Sequence, residues 1–255
     1  MLAIIGGTGL TNLANLEITR REIIRTPFGE PSGHLTFGRI GNAEMIFLAR
    51  HGYAHTIAPH EVNYRANIWA LHHAGATRVL AVNAVGGIAQ DMGPGVLCVP
   101  DQLIDYTHGR KHTFFEGEEP VTHIDATFPF CARARQLWLT AAQSAGQAVI
   151  DCGVVGVMQG PRLETRAEIL RCGRDGCTMV GMTTMPEATL AREKQLSYAM
   201  LALSMNHAAG LGTSSAGIKL ADADAVLAAG MIKVRVILAS ALAMHAAMPA
   251  AEQGM

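Results

Sequence analysis

Charge of either sign is scarce in this chain, and so are aromatic rings: Asp, Glu, Lys and Arg make up 16% of the 255 residues, and Phe, Trp and Tyr 5%. With 20 basic against 21 acidic side chains the formal net charge is -1, which leaves no electrostatic footprint for nucleic acid or an anionic membrane. Any anion that binds has to be held locally. The five cysteines (Cys98, Cys131, Cys152, Cys172, Cys177) are odd in number and show no repeated close pairing, which suits reduced thiols in a cytoplasm. Cys172 and Cys177 lie five apart around "GRDG" with no second Cys or His pair, so a turn between a helix and a strand is expected there and no metal site. Long uninterrupted apolar runs are absent too. "MLAIIGGTG" has no basic leader or cleavage box and is too short to span a bilayer; "VILASALAMHAAMPAA" is broken by Ser240, His245 and Pro249. The expectation is a soluble, unexported protein with no membrane partner, whose last apolar stretch ends a packed helix before a frayed tail over 249–255.

What is present is enough apolar material, 49% of residues, for one large α/β domain over 1–248. Short aliphatic runs at 2–5, 45–49, 79–85, 95–104, 154–158 and 198–205 read as buried strands. Between them lie helical patterns. Tyr64, Ile68, Leu71 and Ala74 share a face that Gly75 is placed to end; Leu227, Met231, Val234, Leu238 and Ala241 share another behind a cap at Asp222 or Asp224. This alternation predicts a mixed, mainly parallel sheet covered by helices, with ligand groups where strands end. No linker or repeat divides the chain. The polar stretch 107–120, "THGRKHTFFEGEEP", reads as a long surface excursion, suited to a lid or a subunit contact.

Chemistry-bearing residues cluster at those strand ends. "IIGGTGL" offers backbone N–H groups and the Thr8 hydroxyl to a phosphate, yet it fails the dinucleotide fingerprint because Asn12 stands where glycine is needed. It can equally be a plain tight turn. "LARHGYAH" gathers Arg50, His51 and His55 after an apolar run. A fixed cation beside a metal dication is repulsive, so an anion explains this cluster better. "AVNAVGG" ends a strand with Asn83 and Ala84, and "VGMTTMPEATL" runs from a strand through Thr183 into a helix start, where capping is the plain alternative. In "MQGPRLETRAEI" Glu164 can simply complement a helix dipole.

Taken in order, "IIGGTGL", "TPFGEPS", "LARHGYAHTIAPHEVNYRANIWAL", "GPRLETRAE" and "MTTMPEATLAREK" resemble the trimeric purine nucleoside phosphorylase and methylthioadenosine phosphorylase family over nearly the whole chain. The resemblance implies that orthophosphate, as co-substrate and with no cofactor, attacks the anomeric carbon of a purine nucleoside. It further implies that Thr8, Arg50, His51, Asn83, Ala84 and Thr183 hold the phosphate and that Met182 lies under the ribose hydroxyls. Asn83 departs from the family's usual threonine. It implies a homotrimer as well, with His123 matching a residue given across the subunit interface.

The choice of purine follows from hydrogen-bond polarity. Methylthioadenosine phosphorylases carry two aspartates where this chain has Asn206 and Ala208, and the 6-oxopurine branch has a Phe-Glu pair where Leu163 and Glu164 stand. Hypoxanthine presents N1–H as a donor and O6 as an acceptor, the reverse of adenine. A Glu164 carboxylate accepts from N1–H, and the Asn206 amide serves O6 and a protonated N7; these two are the expected catalytic pair. Aligning "DADAVL" with the family puts Ala223, Val226 and Leu227 at the 5′ end as an apolar wall, which favours a methylthio group. The expected substrate is 5′-methylthioinosine, yielding hypoxanthine and 5-methylthioribose 1-phosphate. The alternatives are a general inosine and guanosine phosphorylase, a methylthioadenosine phosphorylase, and a noncatalytic purine-binding trimer.

Overall fold

The computed structural model describes residues 1–249 apart from Ala14 and Glu118, so all of the expected tail beyond Pro249 lies outside the described residues. In chain order the elements are β1 (Leu2–Gly6), β2 (Glu17–Glu22), β3 (Leu35–Ile40), β4 (Ala43–Ala49), α1 (Tyr64–His73), β5 (Arg78–Gly87), β6 (Leu97–Val99), β7 (Gln102–Asp105), α2 (Ala132–Ser144), β8 (Ile150–Asp151), β9 (Val154–Val157), α3 (Arg166–Arg174), β10 (Met179–Gly181), α4 (Thr184–Glu193), β11 (Ser197–His207) and α5 (Leu220–Ala247). The strands form one mixed sheet. Its main path runs β2-β3-β4-β1-β5-β10-β9-β7, and β11 lies parallel to β5 along nearly its whole length. The pairs β1 with β4, β1 with β5, and β9 with β10 are parallel; the β2-β3-β4 meander and the pair β5 with β10 are antiparallel. The expected mixed, mainly parallel α/β domain is the one observed.

Both faces of the central strands are buried, which is why they read as continuous apolar runs. Ala3, Ile5, Ile46, Leu48, Val79 and Ala81 face the layer of α1 and α4, where Ile68, Leu71 and Leu190 meet them. Leu2, Ile4, Met45, Phe47, Leu80 and Val82 face α2 and α5, against Trp138, Leu227, Met231, Val234 and Leu238. Each such large aliphatic side chain contributes about 1.5–3 kcal/mol when fully buried. α5 is long and apolar enough to cross a membrane by length and composition, but the expected stripe from Leu227 to Ala241 is buried in this core.

Several boundaries differ from expectation for identifiable reasons. The run 95–104 is two strands, because Pro100 has no N–H to offer a ladder and the chain turns there. β5 continues to Gly87, so Asn83 and Ala84 sit inside a strand and not in the turn after it. α5 begins at Leu220 after an N-cap at Lys219, one turn earlier than a cap at Asp222 or Asp224 would place it. β2 is exposed at every residue and carries no apolar alternation, so nothing in its sequence announces a strand. Between Asp105 and Ala132 the described residues form neither helix nor strand, as the polar excursion implied.

Candidate active site

The loop after β1 supplies Gly7 and Thr8, the chain after β4 supplies Arg50 and His51, and β5 presents Asn83 and Ala84. The chain after β10 supplies Met182 and Thr183, and the end of β11 supplies Asn206 with Ala208 just beyond. All of these, with Leu163 and Glu164, line one cleft of about 500 Å³, a size suited to a small ligand. A second cleft of about 580 Å³ shares Glu164 with it, and a third of about 690 Å³, at Arg78, Arg133 and Met244, collects none of them.

One end of the cleft is built to meet an anion. Arg50 is 1% exposed and grips Glu187, itself 0% exposed, through two bonds of 2.7 Å from Nε and Nη2. Tyr198 donates a further bond of 2.7 Å to Glu187. Burial works against the guanidinium charge, but the adjoining carboxylate outweighs it and Arg50 holds its proton more firmly than usual. Nη1 donates to the Val82 carbonyl at 3.2 Å and Nη2 to Asn83 Oδ1 at 3.4 Å. Gly7 is glycine because a Cβ there would lie 2.8 Å from Arg50 Nη1 and 2.6 Å from the Val82 oxygen.

Hydrogen-bond polarity then runs in one direction through Asn83. Arginine only donates, so Asn83 Oδ1 accepts, and its Nδ2 donates to Thr183 Oγ1 at 2.8 Å. Thr183 is the residue before α4 yet makes no side-chain cap bond, so its own hydroxyl hydrogen remains for a ligand. His51 Nδ1 lies 2.9 Å from the Ile57 carbonyl, which can only accept, so this nitrogen carries hydrogen and Nε2 holds the lone pair of the neutral ring. Burial, and then Arg50, push the His51 pKa down to about 4.

The other end suits a base with a donor edge. Glu164 precedes α3, whose cap is Thr165 in a reciprocal box with Glu168, so Glu168 and not Glu164 is the first-turn acid. Arg162 is turned to Glu168 by bonds of 2.9 and 2.7 Å, and Glu164 makes no ion pair among the described residues. Burial pushes its carboxyl above the usual range. Asn206 follows a bulge in the β11–β5 register after Ser204, a device that re-aims a side chain at a strand end. Its Nδ2 donates to the His207 carbonyl at 2.6 Å, which leaves Oδ1 and the second amide hydrogen for the cleft.

Not every candidate comes here. Ala223 and Leu227 are buried in the face of α5 turned to the core and Val226 lies between them; Ile218 and Leu220 line the cleft instead. His123 is exposed on the excursion and outside the cleft of its own chain. Glu187, the partner of Arg50, lies in the stretch "VGMTTMPEATL", whose sequence announces only a helix start. A buried arginine needs a carboxylate, and that requirement is the signal that would have found it.

Two outcomes follow. Asn83→Asp makes residue 83 an acceptor toward both Arg50 and Thr183 and sets a negative charge beside the anion, so orthophosphate binding measured by calorimetry should weaken by on the order of 100-fold; Asn83→Thr should bind far better than Asn83→Asp. For His51 the folded pKa of about 4 lies below the ordinary 6.5, so the unfolded chain takes up a proton first as pH falls. Stability should therefore be full above 6.5 and decline toward 4, a slope in the urea midpoint that His51→Asn should flatten.

Comparison with known proteins shows the family. The sequence pattern of the phosphorylase superfamily matches residues 1–243. A probable S-methyl-5′-thioinosine phosphorylase of Pseudomonas syringae pv. tomato is 54% identical over 241 residues, covering 94% of this chain and 97% of its own. A 6-oxopurine nucleoside phosphorylase of Pyrococcus furiosus is 42% identical over 231 residues, covering 88% of this chain and 84% of its own. The solved methylthioadenosine phosphorylase of Schistosoma mansoni in complex with adenine superposes with a TM-score of 0.93 at 33% identity, over 99% of this chain and 94% of that one. The chain belongs to the phosphorylase superfamily, within its purine nucleoside and methylthioadenosine phosphorylase family.

Proposed function

We propose that the protein phosphorolyses 5′-methylthioinosine, with orthophosphate as co-substrate and no cofactor, to hypoxanthine and 5-methylthioribose 1-phosphate. The observation that carries this reading is the pairing, in one cleft, of an anion-directed end with a desolvated Glu164 that makes no ion pair among the described residues. Phosphate held by Arg50, Thr8, Thr183, Asn83 and the backbone at Ala84 lies below the sugar, with His51 Nε2 accepting a hydrogen from it or from a ribose hydroxyl. As the bond from C1′ to N9 lengthens, positive charge on the sugar is stabilised by the adjacent anion, which is aligned to form the new C–O bond. The bonding electrons pass to the purine. N7 takes up a proton from solvent as this charge builds; Asn206 then accepts from N7–H and donates to O6, while the Glu164 carboxylate accepts from N1–H, so charge gathered on the base is met by fixed groups. Met182 forms the shelf under the sugar, and Leu163 and Ala208 flank the base.

Adenine would set a lone pair against Glu164, and mispairing of this kind discriminates by about 10⁴ or more. The names of the Pseudomonas and Pyrococcus relatives support a 6-oxopurine substrate. Ile218 and Leu220 supply an apolar wall that favours a 5′-methylthio group over a hydroxyl, the role that resemblance assigned to Ala223, Val226 and Leu227. A cytoplasmic homotrimer is part of this proposal: His123 stands on an excursion whose Val121 and Phe128 are exposed, as a face between copies requires.

Purified protein should release hypoxanthine from 5′-methylthioinosine only when phosphate is present; release without phosphate, or none with it, would sink the proposal. Asn206→Asp is expected to raise kcat/KM for methylthioadenosine relative to 5′-methylthioinosine, and an unchanged ratio would remove Asn206 from base recognition.

A further inference from the structure

Arg110 lies on the excursion between β7 and α2, in a stretch whose sequence reads as solvated surface, yet its guanidinium is turned inward. Nη1 donates to the carbonyl oxygens of Met182, at 2.9 Å, and Met185, at 2.5 Å. Nη2 donates to the carbonyls of Gln159 at 2.8 Å and Met158 at 3.4 Å, and Nε to the Gln159 side chain at 3.1 Å. A longer bond of 3.4 Å reaches the Tyr64 hydroxyl, which itself donates to the Pro59 carbonyl at 2.8 Å. Among the described residues Arg110 forms no salt bridge, so this half-buried cation is spent mainly on backbone oxygens. Desolvation lowers its pKa, an effect that Tyr64 and Asp105 only partly offset.

Those oxygens belong to Met182, which lines the cleft, and to residues adjoining two of its lining segments. Met182 and Met185 bracket Thr183, on the sugar and anion side; Met158 and Gln159 lead directly into the Gly160 to Glu164 segment that faces the base. The two segments also touch at Gly160, where a Cβ would lie 2.6 Å from Met182 Sδ. Tyr64 and Pro59 bring in a third, the segment after His55. A planar fork of five donors can span such a set of acceptors, whereas a lysine ammonium offers three donors at one point.

We propose that Arg110 is a positioning residue for the reaction, fixing the spacing between the Met182 shelf and the Gly160 to Glu164 base wall. This rests on the reading of the cleft as a nucleoside site. The anion end is tied separately by Glu187, Arg50, Asn83 and Thr183, so the loss of Arg110 should fall on the nucleoside and spare phosphate. A misplacement of about 1 Å in such a site costs on the order of 100-fold in rate.

The test compares wild type with Arg110→Lys and Arg110→Ala, using calorimetric binding of 5′-methylthioinosine and of orthophosphate separately, steady-state kinetics, and thermal midpoints. Arg110→Lys should lower kcat/KM for the nucleoside by about 100-fold and weaken nucleoside binding while phosphate binding stays within about threefold of wild type. Methylguanidinium added to Arg110→Ala should restore part of the nucleoside turnover. The proposal is overturned if Arg110→Lys keeps wild-type nucleoside kinetics, or if both ligands weaken together in step with a lowered thermal midpoint. Wild-type protein that binds nucleoside without turning it over would defeat the functional reading, and the two binding measurements would still decide the role of Arg110.

Discussion

The cleft depends on one buried ion pair, Arg50 with Glu187, both essentially without solvent exposure. Two charges removed from water are tolerable only when each is matched at close range, and removing one partner of such a pair costs about 3–5 kcal/mol. The match here is two-pronged, and Tyr198 adds a third bond to the carboxylate. Because Arg50 follows β4, Glu187 sits in the first turns of α4 and Tyr198 lies on β11, the pair and its tyrosine also tie three elements together. It leaves the guanidinium permanently charged and immobile. An anion reaching the cleft meets a cation whose desolvation was completed on folding.

From that fixed point the remaining polarity follows in sequence. Arg50 sets the direction of the Asn83 amide, Asn83 sets Thr183, and the Ile57 carbonyl sets the His51 ring. Each partner can act in only one sense, so the donors and acceptors of the cleft are assigned without reference to a ligand. The far end obeys the opposite rule. Glu164 is desolvated and, among the described residues, makes no ion pair, and a carboxylate in that state favours a ligand that brings a hydrogen to it.

Much of this was legible in the chain because it follows from local rules. Strands buried on both faces announce themselves as aliphatic runs, and the polar residues of the cleft at Thr8, Arg50 and Thr183 follow strand ends. Proline at 100 divides a run that composition alone joins. β2 stayed hidden because a fully exposed edge strand needs no apolar pattern. Glu187 and Arg110 stayed hidden for the converse reason. Charged residues in polar or helix-start contexts look solvated until the elements that bury them are in place.

By itself the sequence determined the alternation of strands and helices and the residue types at each strand end, Asn206 and Ala208 among them. Only the tertiary structure decided that Arg50 finds Glu187 137 positions away, that Arg110 turns inward to the carbonyls of Met182 and Met185, and that Ile218 and Leu220, not Ala223, Val226 and Leu227, line the cleft. The reason is physical. Residue type and local spacing limit which bonds a side chain can make, whereas burial and long-range packing determine which partner is there to make them with.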